Sequence, residues 1–208
     1  MTNNDPLAQL MGLTIPDDDT PYFAAIGRFI TTYAMAEHQV HVLARKLSRM
    51  SDAKGRIVFS GMRLGDLADR IRGLLRTTGA SKKRYDEIDR CLRQLDLIAT
   101  QRNNLVHRFV RYSSGKITVT NVVISKSIET HEQDVYGLQH FEDMDLDCTA
   151  ITLRLAKICG TNINLPSRKW MHQPWRYKPV PRQTKQKQPP QRTAQPPLHQ
   201  RQSSTDSE

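Results

Sequence analysis

The sequence predicts an all-α domain that carries one small β-hairpin before its last helix. Three observations predict it. Apolar residues recur at three- and four-residue steps over four long segments, a single stretch from Phe109 to Thr120 alternates around a turn, and apolar residues become sparse after Pro166. A chain of 208 residues leaves room for one core and an appendage. The expected divisions are an irregular N-terminal arm over 1–19, a helical domain over 20–165 and a disordered basic tail over 166–208.

The arm holds Leu7, Leu10, Met11, Leu13 and Ile15 among polar residues and shows no clear period. The first helix starts at Thr20-Pro21. A capping hydroxyl stands before a proline whose missing N–H costs nothing there, and Asp17, Asp18 and Asp19 complement the helix dipole. Ile26, Ile30, Tyr33, Glu37, Val40, Ala44 and Leu47 extend it to about Arg49. Glu37 falls inside that stripe, as either a marginal, partly exposed carboxylate or one that orients a basic group. A second helix spans Leu64 to Thr77, stops at Gly79 and carries Arg63, Arg70, Arg72 and Arg76 on its remaining surface. Such a row is a solvated face or a surface for phosphates.

Ser81 caps the third and longest helix, whose stripe is Tyr85, Ile88, Leu92, Leu95, Ala99, Arg102 and Val106. It puts an arginine where an aliphatic residue is expected. The helix ends near His107 or Arg108, because Phe109 to Tyr112 and Ile117 to Thr120 read as a hairpin around Ser113-Ser114-Gly115-Lys116. A further extended piece is compatible with Val122 to Ser127. The last helix runs from about Phe141 to Cys159, with Met144, Ile151, Leu155 and Ile158 inward and Gly160 closing it.

After Pro166 the chain has nine Lys/Arg against two acidic residues, so this part carries +7 of the formal +10. It also holds seven of the 11 prolines and eight glutamines, with too little apolar surface to offset its ordering entropy. Arg168, Lys169, Trp170, Trp175, Arg176 and Lys178 interleave cations with aromatics. That composition suits stacking on bases while neutralising phosphates; the alternative is that the tryptophans dock on the body.

Several classes are excluded at this stage. No apolar run is long enough for a membrane span and no secretory signal opens the chain, so a cytoplasmic protein is expected. Cys91, Cys148 and Cys159 fit neither a disulfide framework nor zinc spacing and read as packing thiols. His38 and His41 lack a third ligand at recognisable spacing and read as helix-surface residues. Phosphate-loop and common hydrolase motifs are missing, and no cofactor is implied.

Chemistry concentrates in Arg102-Asn103-Asn104-Leu105-Val106-His107. Arg followed five positions later by His is expected by chance about once with 20 arginines and seven histidines, but Asn directly after the Arg makes the pattern rare. On a helix Asn103 and His107 are an i, i+4 pair with Arg102 to one side, so all three fall within an arc of about 140°. An imidazole exchanges protons near neutral pH, a guanidinium offers a planar fork for phosphate, and an amide orients either. Those parts suit attack of a ribose 2′-hydroxyl on its neighbouring phosphate. No carboxylate or His/Cys cluster accompanies them, so a metal is not implied.

The R-N-x-x-x-H pattern late in a long helix resembles the HEPN superfamily of small all-α domains. The likeness covers the four-helix body in outline, about residues 20 to 162, and its specific part is RNNLVH. It implies a HEPN-like four-helix bundle, a homodimer with two motifs facing across a cleft, and metal-independent endoribonuclease activity on RNA. Arg102 and His107 take the catalytic positions and Asn103 the polar position beside them. Many members are toxins or phage-defence effectors, often paired with a nucleotidyltransferase-type antitoxin; others are catalytically inactive dimerisation or RNA- or protein-binding modules. Two stripe positions also set Glu37 against Arg102 across the first and third helices, where a buried guanidinium would face a carboxylate.

Overall fold

A computed structural model describes residues 20–113, 116–120, 132–162, 173–179 and 183–184. Five helices make up most of it: α1 (Thr20–Ser48), α2 (Asp52–Phe59), α3 (Leu64–Thr77), α4 (Lys82–His107) and α5 (Leu138–Ile158). Strands β1 (Phe109–Ser113), β2 (Lys116–Thr120), β3 (Glu132–Tyr136) and β4 (Gln183–Thr184) form one antiparallel sheet in that order. The expected hairpin is present, with Val110 opposite Val119. It is the first half of a larger sheet, because β3 extends it on the β2 side and β4 closes that edge. The N-terminal arm and the Val122 to Ser127 piece lie outside the described residues.

The core explains the helix boundaries. In α1 the buried residues are Ala25, Phe29, Tyr33, Ala36, Val40, Leu43 and Ala44. The stripe is therefore centred one position away from the Ile26, Ile30 and Glu37 register, because Phe29 offers the larger apolar surface. Phe29 packs at 6.4 Å from Tyr33 and 6.5 Å from Phe141, joining α1 to α5. Thr32 donates to Asp145 at 2.7 Å across the same interface. Gly79 ends α3 at φ +65°, and Ala80 N–H reaches back to the Leu75 carbonyl, a left-handed stop that glycine accommodates. Ser81 caps α4 by accepting from Arg84 N–H. The helix α2, unmarked in the sequence, crosses α1 closely at Gly55, where a Cβ would lie 3.0 Å from Arg45 Cγ. All three cysteines are buried and unpaired, and burial pushes the Cys91 thiol up to about 12.

The expectation of disorder throughout 166–208 is corrected for 173–179 and 183–184. Residues 173–179 lie on α5. Asp147 accepts from the backbone N–H of Arg176 and of Tyr177, both at 3.0 Å, and Gln94 bridges Asp147 and the Tyr177 carbonyl. Tyr177 is buried, and Trp175 stacks under the Arg154 guanidinium at 4.4 Å. A composition rule misses this strap because a few specific bonds, not average hydropathy, fix it.

Burial raises the Asp147 carboxyl above its ordinary value, against the opposing pull of its hydrogen bonds to Arg176, Tyr177 and Gln94. The folded state thus holds this proton more tightly than the unfolded chain. Its contribution to stability is full below the ordinary carboxylate range and is lost as pH rises through the raised value. Urea unfolding of wild type and Asp147→Asn should show a stability difference that moves against wild type as pH rises from acid to neutral. A difference independent of pH contradicts this account of Asp147.

Candidate active site

The last turns of α4, the middle of α1 and the start of α3 enclose a cleft of about 500 Å3. Arg102, Asn103 and His107 all line it, together with Tyr33 and Glu37 from α1 and Arg63 from the α3 N-cap. The four site residues singled out in the body therefore share one space.

Arg102 is fixed by its neighbours. Its guanidinium centre lies 5.6 Å from the centroid of the buried Tyr33 ring, one terminal nitrogen donates to Asn103 Oδ1 at 3.0 Å, and Nε is buried without a hydrogen bond. Burial, then the Glu37 charge, pushes the Tyr33 phenol well above its ordinary range, with Arg102 opposing. The ring is thus neutral and serves as a flat platform for the cation.

The expected pairing of Glu37 with Arg102 is corrected. Among the described residues no ion pair within 4.0 Å joins them; both line the cleft and both act on Tyr33. The shift in the α1 stripe accounts for this, since it leaves Glu37 half-buried at the margin.

His107 is exposed, as the last residue of α4. What holds that end in place is Asn104. Its side chain is buried on the opposite side and donates to Asp134 of β3 at 3.2 Å, and Arg108 lies 3.8 Å from the same carboxylate. Tyr136 of β3 also donates to Gln101. The sheet therefore anchors the turn carrying Asn103 and His107. The two neighbouring asparagines divide the work, one facing the cleft and one the sheet, a distinction that the motif alone does not explain physically.

The first turn of α3 also faces the cleft through Leu64 and Gly65. Its free backbone N–H groups and positive dipole end favour an anion beside Arg63. The remainder of the α3 arginine row divides: Arg72 is tied to Asp69 and Asp89, whereas Arg70 and Arg76 are exposed.

The tail residues fare differently from the motif. Arg168, Lys169 and Trp170 lie outside the described residues. Arg176 and Lys178 are exposed, and half-buried Trp175 packs against the Arg154 guanidinium. His38 is exposed, and burial lowers the pKa of half-buried His41. Among the described residues no three His, Cys, Asp or Glu side chains gather in a metal-holding group, and no helix is long and apolar enough to cross a membrane. Sequence reasoning missed Tyr33 as the platform and Arg63 as a cleft residue; one read as core and the other as part of a charge row. No protein-family model, curated protein or solved structure matches the chain.

Proposed function

We propose that the chain is a metal-independent endoribonuclease of HEPN type. The observation that carries this reading is that Arg102, Asn103 and His107 line one cleft with Arg63 and the N-terminus of α3. Arg102, held over the Tyr33 ring, grips the scissile phosphate with its fork, and Arg63 and the α3 dipole add positive potential. The 2′-oxygen forms a bond to phosphorus while the bond from phosphorus to the 5′-oxygen breaks. His107 serves as general acid/base: an imidazole takes the 2′-hydroxyl proton, and an imidazolium returns one to the leaving 5′-oxygen. In a homodimer with facing motifs, the two His107 side chains divide those transfers. Asn103 positions Arg102 through its Oδ1. A toxin or defence role in the cytoplasm, with a nucleotidyltransferase-type antitoxin, belongs to the same reading through the family resemblance.

The second reading is a catalytically silent HEPN-like module that binds RNA or protein. It is favoured by His107, which is exposed and makes no hydrogen bond to Asn103 among the described residues. Substrate chemistry separates the two readings. An RNA cut at one site should become resistant when the nucleotide 5′ of that bond is replaced by its 2′-deoxy form, and cut wild-type RNA should carry 2′,3′-cyclic phosphate ends. Cleavage indifferent to the deoxy substitution contradicts the proposed mechanism.

A further inference from the structure

A second groove, of about 410 Å3, adjoins the cleft between α3 and α4, and Leu64, Gly65 and Asp96 line both. Its floor is apolar, with Leu64, Ala68 and Leu92 buried and Leu97 half-exposed at the edge. Its cations are already matched. Arg72 donates to Asp89 at 2.8 Å and to Asp69 at 2.9 Å, and Arg93 pairs with Asp89 at 2.6 Å. With Asp69 and Asp96 also lining the groove, no cation is left over for a phosphate.

Asp96 differs from its neighbours. Among the described residues its carboxylate takes no hydrogen bond and no ion pair; only its backbone carbonyl is used, by Thr100. An aliphatic floor beside an exposed carboxylate without a protein partner suits a nucleobase that has N–H donors on its edge. Of the four RNA bases, guanine alone presents two adjacent N–H donors on its Watson–Crick edge, matching both carboxylate oxygens. Asp96 precedes Arg102 by six residues, about 9 Å along the helix axis, comparable with the distance from a phosphate to the far edge of a neighbouring base.

The joint between the two spaces is Gly65. Glycine weakens a helix relative to alanine, yet a Cβ at this position would meet nothing within 4 Å. Packing therefore does not require glycine here. Its lack of a side chain leaves the passage open.

We infer that the α3–α4 groove is a guanine-binding subsite next to the scissile position, with Asp96 as the specificity-determining residue and Gly65 keeping the passage clear. The inference rests on the nuclease reading for the presence of an RNA strand in the cleft. Two readouts on the full chain test the two ideas separately: binding of GMP, IMP and AMP by titration calorimetry, and the sequences flanking cut sites in a random RNA pool. Wild type should bind GMP about tenfold more tightly than AMP or IMP, the latter lacking the 2-amino group. The preference should vanish in Asp96→Asn, and GMP binding should fall in Gly65→Leu. Both positions are exposed, so both variants should retain the wild-type circular dichroism spectrum. Guanine should also be enriched beside the cleaved bond in wild type and not in Asp96→Asn. Equal binding of GMP and AMP by wild type, or a GMP preference that survives Asp96→Asn, overturns the subsite. Selective GMP binding without any RNA cleavage supports the subsite and counts against the nuclease, whereas cleavage without base preference does the reverse.

Discussion

Replacing Arg102 by lysine is expected to slow RNA cleavage by at least about a hundredfold, even though the charge is kept. Lysine presents a rounded ammonium on a flexible stem, and it cannot offer a fork to two phosphate oxygens. It also loses the guanidinium contact over the Tyr33 ring and the bond to Asn103 Oδ1 that hold the cation in one place. Because the fork is proposed to tighten on the charge that develops at phosphorus, the loss should fall mainly on kcat under saturating RNA, with a smaller rise in KM. Arg102 is half-buried and makes no ion pair within 4.0 Å among the described residues, so the melting temperature should change little. A lysine variant with wild-type kcat contradicts the assigned role.

Phe29→Ala carries the largest expected effect on stability, a loss of about 3–5 kcal/mol read by urea unfolding. Its ring is fully buried where α1 meets α5, touching Tyr33 on one side and Phe141 on the other. Truncation removes apolar contact and leaves a void that two aromatic neighbours cannot easily fill. The same change undermines the site, since Tyr33 is the platform under Arg102. A loss under about 1 kcal/mol would show that the α1–α5 contact collapses onto the void and that Phe29 is not a core anchor.

The helices that pack through long periodic faces were legible in the sequence. Gly79 and Ser81 marked the junction between α3 and α4, and the hairpin after His107 followed from alternation around Ser114-Gly115. Other features lacked a local signal. The strand β3 reads Glu-Gln-Asp-Val-Tyr, too polar to resemble a buried strand, and its order depends on pairing with β2 and on Asn104 meeting Asp134. In α5, Asp147 and Arg154 look like surface residues until the strap at 173–179 covers them. Glu37 belonged to an apparent apolar stripe, but a one-position shift placed it at the cleft margin. Arg102, Asn103 and His107 were picked out by the Asn that follows the Arg and by the family resemblance, since the Arg-to-His spacing alone recurs by chance. Tyr33 and Arg63 were not, because their part in the cleft depends on how three helices meet.

The central claim is that the Arg102-Asn103-His107 face cuts RNA without a metal. Its most direct test is incubation of a mixed RNA substrate with purified wild type and His107→Ala in the presence of EDTA. The account predicts cleavage by wild type, with 2′,3′-cyclic phosphate ends, and a rate lower by about 10²–10⁴-fold in a His107→Ala protein that still folds. RNA cut equally fast by both proteins, or RNA that both bind and neither cuts, contradicts it.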